Sequence, residues 1–308
     1  MRPALIVILC LLTLCSTLTA AAAKEVALRM IVVRQIDEAK AIRSQLRQGA
    51  SFNHLAKTKS IAPSRKQWGF SGVVDLDDVQ SQLQAILRKM KPGQISDVTA
   101  LGQNYAIIKV LSPQVSHLLD TVKQQLSNDQ IQPAIKTARQ ILKLENDHIQ
   151  AHILLSVAFS ESKAYDDAVK TLKQARAYAP TEAQLVMLLG SVYTKAAFDT
   201  KKRAYSASAI EAFQQAMKLS ESFAPAAHLG LGHLYLNLLK QPDKAIPHLE
   251  TTTEQAPQIA GAHQYLIQAY IETKNYPQAW RQMRKAQGHG YNFPDLLAQL
   301  HKLKKSSK

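Results

Sequence analysis

Catalytic chemistry needs titratable, nucleophilic or metal-ligating side chains at fixed spacings, and this sequence offers few. Its ten histidines include His148 and His152, whose i, i+4 separation places both rings on one helix face, as a metal pair would. The intervening residues are Ile149-Gln150-Ala151, so the H-E-x-x-H pattern of a zinc hydrolase is absent. A helical pair without a third ligand reads as two histidines absorbed by packing, and neither a metal nor a cofactor is expected. Both cysteines, Cys10 and Cys15, fall in the first apolar run. That excludes a disulfide scaffold, a zinc ribbon and a cysteine nucleophile downstream of it. No phosphate loop, dinucleotide fingerprint or G-x-S-x-G is present. Lys and Arg number 38 against 23 Asp and Glu, a net charge of +15. Arg65-Lys66 and the Lys302, Lys304, Lys305, Lys308 tail could make weak contact with an anionic membrane surface or acidic polysaccharide, against the default of a solvated basic surface. Binding, rather than bond-making, is the chemistry these residues suit.

The elements that would build a binding surface begin after an address. Met1-Arg2, the apolar run Ala4 to Leu18 and the alanines Ala20 to Ala23 form the pattern of a secretory signal over residues 1–23. The alternative, an uncleaved anchor, would have a short apolar stretch for a span. An exported, periplasmic location is expected, which argues against nucleic acid as a partner. Hydrophobic residues make up 46% of the 308, enough for real cores. Aromatics are only 6% and glycines 11, which favours helices over a β-sandwich.

Residues 24–115 mix strand and helix signals. Ala27 to Val33 reads as a strand; Ala39, Ile42 and Leu46 mark a helix over Asp37 to Gln48. A short helix follows at Phe52 to Ala56, then a basic, proline-containing loop from Lys57 to Lys66. Val79 to Met90 carries one apolar helical face, and strands at Ser96 to Ala100 and Tyr105 to Leu111 flank a turn. The order β-α-α-α-β-β implies a small α+β domain.

From residue 116 strand signals vanish and repeats appear. Ala134, Ala168, Ala209, Ala245 and Ala279 are separated by 34, 41, 36 and 34 residues. Leu155-Ser156-Val157-Ala158-Phe159, Leu189-Gly190-Ser191-Val192-Tyr193, Leu231-Gly232-His233-Leu234-Tyr235 and Leu266-Ile267-Gln268-Ala269-Tyr270 recur in step with them. This pattern resembles tetratricopeptide repeats: about four and a half hairpins over 116–291, then a capping helix and basic tail over 292–308. The resemblance implies an all-α solenoid with a concave groove. Its groove-facing positions, carried over, include Ile153, Met187, Leu229, His233 and Gln268, and none of the sixteen is charged. Such a groove suits a polypeptide held by shape and apolar contact; the competing expectation is that the N-terminal domain fills part of it.

The N-terminal domain resembles the parvulin (rotamase) peptidyl-prolyl isomerases. The resemblance rests on the opening strand, Gly49-Ala50-Ser51-Phe52, Trp68-Gly69-Phe70, Lys91-Pro92-Gly93-Gln94-Ile95-Ser96 and the strand Tyr105 to Val110. It implies a proline pocket at Val79, Gln80 and Leu83, with polar catalytic groups at three positions that here hold Met30, Ala62 and Ala106. Val79 and Leu83 equally fit a core stripe. The expectation is an α+β parvulin-like domain of weak or no isomerase activity followed by a tetratricopeptide-repeat solenoid, acting as an exported chaperone or assembly scaffold for polypeptide clients or envelope assembly proteins. The alternatives are an active isomerase of envelope proteins and a component of envelope polysaccharide-export machinery.

Overall fold

The computed structural model describes residues 25–306. The segment on which the export expectation rests, and the end of the basic tail, lie outside them. Among the described residues no helix is long and apolar enough to cross a membrane.

Four antiparallel strands form one sheet: β1 (Glu25–Val33), β2 (Phe70–Asp75), β3 (Thr99–Leu101) and β4 (Asn104–Leu111), in the order β2-β1-β4-β3. The second strand was not anticipated. Its Ser71-Gly72 pair and the close of the strand at Asp75 weaken the alternation that marks a strand, and it survives as an edge paired only with β1. Three helices complete the domain, α1 (Ile36–Arg47), α2 (Phe52–Lys59) and α3 (Ser81–Leu87). The last is shorter than the apolar stripe to Met90 implied, because the chain turns out at Arg88 ahead of Lys91-Pro92-Gly93.

Side-chain alternation gives the two central strands two different faces. Leu28, Val32, Ala106, Ile108 and Val110 pack on Leu76, Leu83 and Leu87 on one side. Ile31, Val33 and Ile107 pack on Ala39, Ile42, Phe52 and Leu55 of α1 and α2 on the other. Arg29 and Lys109 lie on this second face, directly opposite each other in the register of β1 and β4.

A single residue, Ser112, separates β4 from α4 (Pro113–Ser127). Proline suits the first helical turn, where its missing N–H leaves no bond unmade. Helix pairs then stack: α4 with α5 (Ile131–Leu144), α6 (Ile149–Glu161) with α7 (Tyr165–Tyr178), and α8 (Ala183–Thr200) with α9 (Arg203–Leu219). The pairs α10 (Ala224–His233) with α11 (Pro242–Gln255) and α12 (Ala260–Glu272) with α13 (Tyr276–Gly288) follow, and α14 (Pro294–Ser306) closes the stack. The hairpin expected to be partial therefore has both helices. Small residues set the spacing, since a Cβ on Gly190 would lie 2.6 Å from the Phe213 ring and one on Gly232 would lie 2.5 Å from Leu249.

Candidate functional site: the isomerase face, the groove and the domain junction

The three positions expected to carry isomerase chemistry come together. Met30 of β1, Ala62 of the loop after α2 and Ala106 of β4 share one apolar cluster with Val79, Leu83 and Leu101. The loop is fixed by Ser60, whose Oγ accepts from the N–H groups of Val32 (3.0 Å) and Ala62 (3.2 Å). The three side chains themselves, one thioether and two methyl groups, can neither donate nor accept a proton. Ala106 is fully buried and Leu83 is 8% exposed, so both serve as core in this conformation. Val79 is half-buried at the rim, and Gln80 is exposed and precedes the first turn of α3.

Along the repeats, the groove positions divide. Ile153 is buried within the repeat core, whereas Met187, Leu229, His233 and Gln268, all on the first helices of their hairpins, are half-buried. The His233 ring is stacked between Phe198 (4.7 Å between centroids) and Tyr265 (4.9 Å), which ties three successive first helices together. Gln268 Nε2 donates to Glu272 at 3.0 Å. His148 and His152 do not converge on a common point. His148 caps α6, its Nδ1 accepting from Ala151 N–H, and His152 Nε2 meets the Asn146 carbonyl at 2.8 Å. His263, at the matching place six helices on, meets the Pro257 carbonyl in the same way, so these rings brace the turn between hairpins.

The most polar buried cluster lies where sheet meets repeats, and the sequence reading missed it. Arg29 and Lys109 are cross-strand neighbours of like charge, an unfavourable arrangement unless anions lie beside them. The turn between α5 and α6 supplies those anions. Glu145 Oε2 is 3.8 Å from Arg29 Nε, and Asp147 Oδ1 is 3.0 Å from Lys109 Nζ. Asn53 of α2 adds a donor to the Asp147 carbonyl. Burial pulls the Arg29 guanidinium below its usual value against the opposing pull of Glu145 and Asp147. Burial also raises the Glu145 carboxyl, opposed by Arg29 and Lys109. His148 is held well below the usual imidazole value by burial, reinforced by the Arg29 charge. One signal was available: a lone cation inside each of two otherwise apolar strand runs.

Arg29 also shapes the loop ahead of β2. Its Nη1 donates to the Trp68 carbonyl at 3.0 Å. Trp68 and Gly69 both adopt positive φ (59° and 79°), and a Cβ on Gly69 would lie 2.8 Å from the Met30 carbonyl, so glycine is required there. This turn presents the Trp68 ring to the repeat core, under Lys57 Nζ at 5.1 Å. The N-terminal domain thus covers the start of the repeat array.

Comparison with known proteins follows the same division. The sequence matches the PPIC-type PPIase domain family over residues 32–112 and the tetratricopeptide repeat family over residues 125–192. No curated protein matches the chain. Among solved structures, PilF of Pseudomonas aeruginosa is 16% identical, with 62% of this chain and 84% of that one covered at a TM-score of 0.51. A MamA protein is 24% identical (56% and 89% covered, TM-score 0.46). A PpiC-type peptidyl-prolyl cis-trans isomerase domain is also 24% identical, covering 29% of this chain and 89% of its own at a TM-score of 0.27.

Proposed function

We propose that this chain, a PPIC-type domain running into tetratricopeptide repeats, is an exported scaffold that holds unfolded or assembling envelope polypeptides and has weak or no isomerase activity. Protein binding is the general task of such repeats. The observation that carries the finer reading is the apolar cluster at the three expected catalytic positions, Met30, Ala62 and Ala106. Rotation about a peptide bond faces a barrier of about 18–20 kcal/mol. An enzyme lowers it only through groups that favour the twisted amide over the planar one. Aliphatic side chains give an X–Pro segment a surface and only the modest preference that desolvation lends the less polar twisted amide, without polar groups at its carbonyl. The export element rests on the residue pattern of Met1 to Ala23.

The test is X–Pro isomerisation by a protease-coupled assay on the chain from Lys24 to Lys308, beside a measurement of how well it suppresses aggregation of an unfolded client. The expected outcome is no gain over the uncatalysed rate together with clear suppression. A rate gain that disappears in Val79→Asp, on a sample with unchanged helicity, would make the domain an isomerase and overturn the reading.

A further inference from the structure

Between the sheet and the first repeats lies a cavity of about 610 Å³ that neither domain builds alone. We propose that it receives a carboxylate of the polypeptide lying in the groove, from a chain terminus or an acidic side chain. This inference rests on the polypeptide-binding reading above and names the chemistry of its anchor.

Charge is the first argument. The ionisable lining comprises Arg29, Lys57, Lys66 and Lys123 against Asp120, with the buried His148. Arg29 is answered by Glu145 at 3.8 Å, and Lys123 by Asp120 at 2.8 Å. Lys57 and Lys66 have no acidic partner among the described residues, and low-dielectric walls concentrate the field of such cations on an anion that enters. Position is the second argument. Gln150 and Gln184 line the cavity and stand near the starts of α6 and α8, one helical turn ahead of Ile153 and Met187. A chain leaving the cavity therefore passes directly onto the concave surface.

The walls are the third argument, since an apolar wall suits a polypeptide better than a bare anion. Trp68 and Phe70 add an apolar wall, and the volume lies within the usual range of ligand sites, about 300–1,000 Å³.

Fluorescence anisotropy on the Lys24 to Lys308 chain tests this with three labelled peptides of Ser, Ala and Leu. One ends in Glu-Glu with a free terminus, one in amidated Glu-Glu, and one in amidated Gln-Gln. The first two are expected to bind about tenfold tighter than the third, and their order identifies terminus or side chain as the better source. Lys57→Gln/Lys66→Gln should abolish the difference while leaving Gln-Gln binding intact. Equal binding of all three overturns the carboxylate anchor and leaves groove binding standing; no binding by any overturns both. A preference that persists in the double variant places the carboxylate elsewhere and overturns the assignment. Should the variant misfold, the wild-type preference decides, because it must shrink as salt rises, and a salt-independent preference overturns the proposal.

Discussion

Removing the Glu145 carboxylate should unfasten the two domains. Arg29 and Glu145 have side chains only 3% exposed and sit 3.8 Å apart. With an effective dielectric of about 20, unit charges at that distance attract by roughly 4 kcal/mol. In Glu145→Ala that attraction is lost while Arg29 stays buried opposite Lys109, although its bond to the Trp68 carbonyl survives. Breaking a buried pair by deleting one partner typically costs about 3–5 kcal/mol. The surviving bond argues for the lower end, about 3 kcal/mol. Urea unfolding measures it, with Trp68 fluorescence read in a Trp280→Phe background and helicity followed in parallel. The parent should unfold in one transition; Glu145→Ala should unfold earlier, with Trp68 released ahead of the helices. Arg29→Met/Glu145→Leu removes both charges and should recover most of the loss, since replacing a whole buried pair by apolar groups is often neutral. A loss below about 1 kcal/mol, or a double variant as unstable as the single one, refutes the reasoning.

Acid should weaken the fold before neutral pH does. His148, His152 and His263 are all held below the ordinary 6.5 by burial, so the unfolded chain takes up protons first as pH falls. Their contribution is complete above 6.5 and is lost below it. Glu145, raised above 4.5, works oppositely, its penalty growing as pH rises through its shifted value. Thermal melts should show Tm falling between about pH 7.5 and pH 5.5, and His148→Asn, which keeps a capping side chain, should flatten the decline; a Tm that rises on acidification contradicts the burial argument. Gly190→Ala should destabilise by about 1–3 kcal/mol through overpacking against Phe213, although alanine normally gains on glycine inside a helix. Thermal denaturation gives the sign directly, and a stabilised variant would show that the helices have room to spare.

Much of this molecule could be read from residue spacing. The recurring Ala134, Ala168, Ala209, Ala245 and Ala279 are each fully buried, because a hairpin that must stack on two neighbours leaves no tolerance at its crossing points. The apolar surroundings of Met30, Ala62 and Ala106 followed from their types. The edge strand at Phe70–Asp75 was hidden because half of its pairing signal lies in β1, far away in sequence. Ile153 and Leu83 illustrate a different limit: periodicity places a side chain on a face, but only packing decides whether that face remains open. The junction was the hardest to foresee. Arg29 and Lys109 are conspicuous in their strands, yet nothing local identifies Glu145 and Asp147, more than a hundred and about forty residues away respectively, as the groups that neutralise them.

The one-residue connection at Ser112 bears on how such a protein can be assembled over evolution. Two families meet here, and each is a unit that could in principle be exchanged for another of its kind. Here the last strand of the sheet becomes the first helix of the array without a spacer, and each side buries ions that the other neutralises. A replacement repeat array lacking acids at the α5–α6 turn would strand Arg29 and Lys109, and a replacement sheet lacking those cations would strand Glu145 and Asp147. Exchange of either half therefore requires matched change in the other, and the pair must be inherited as a single piece.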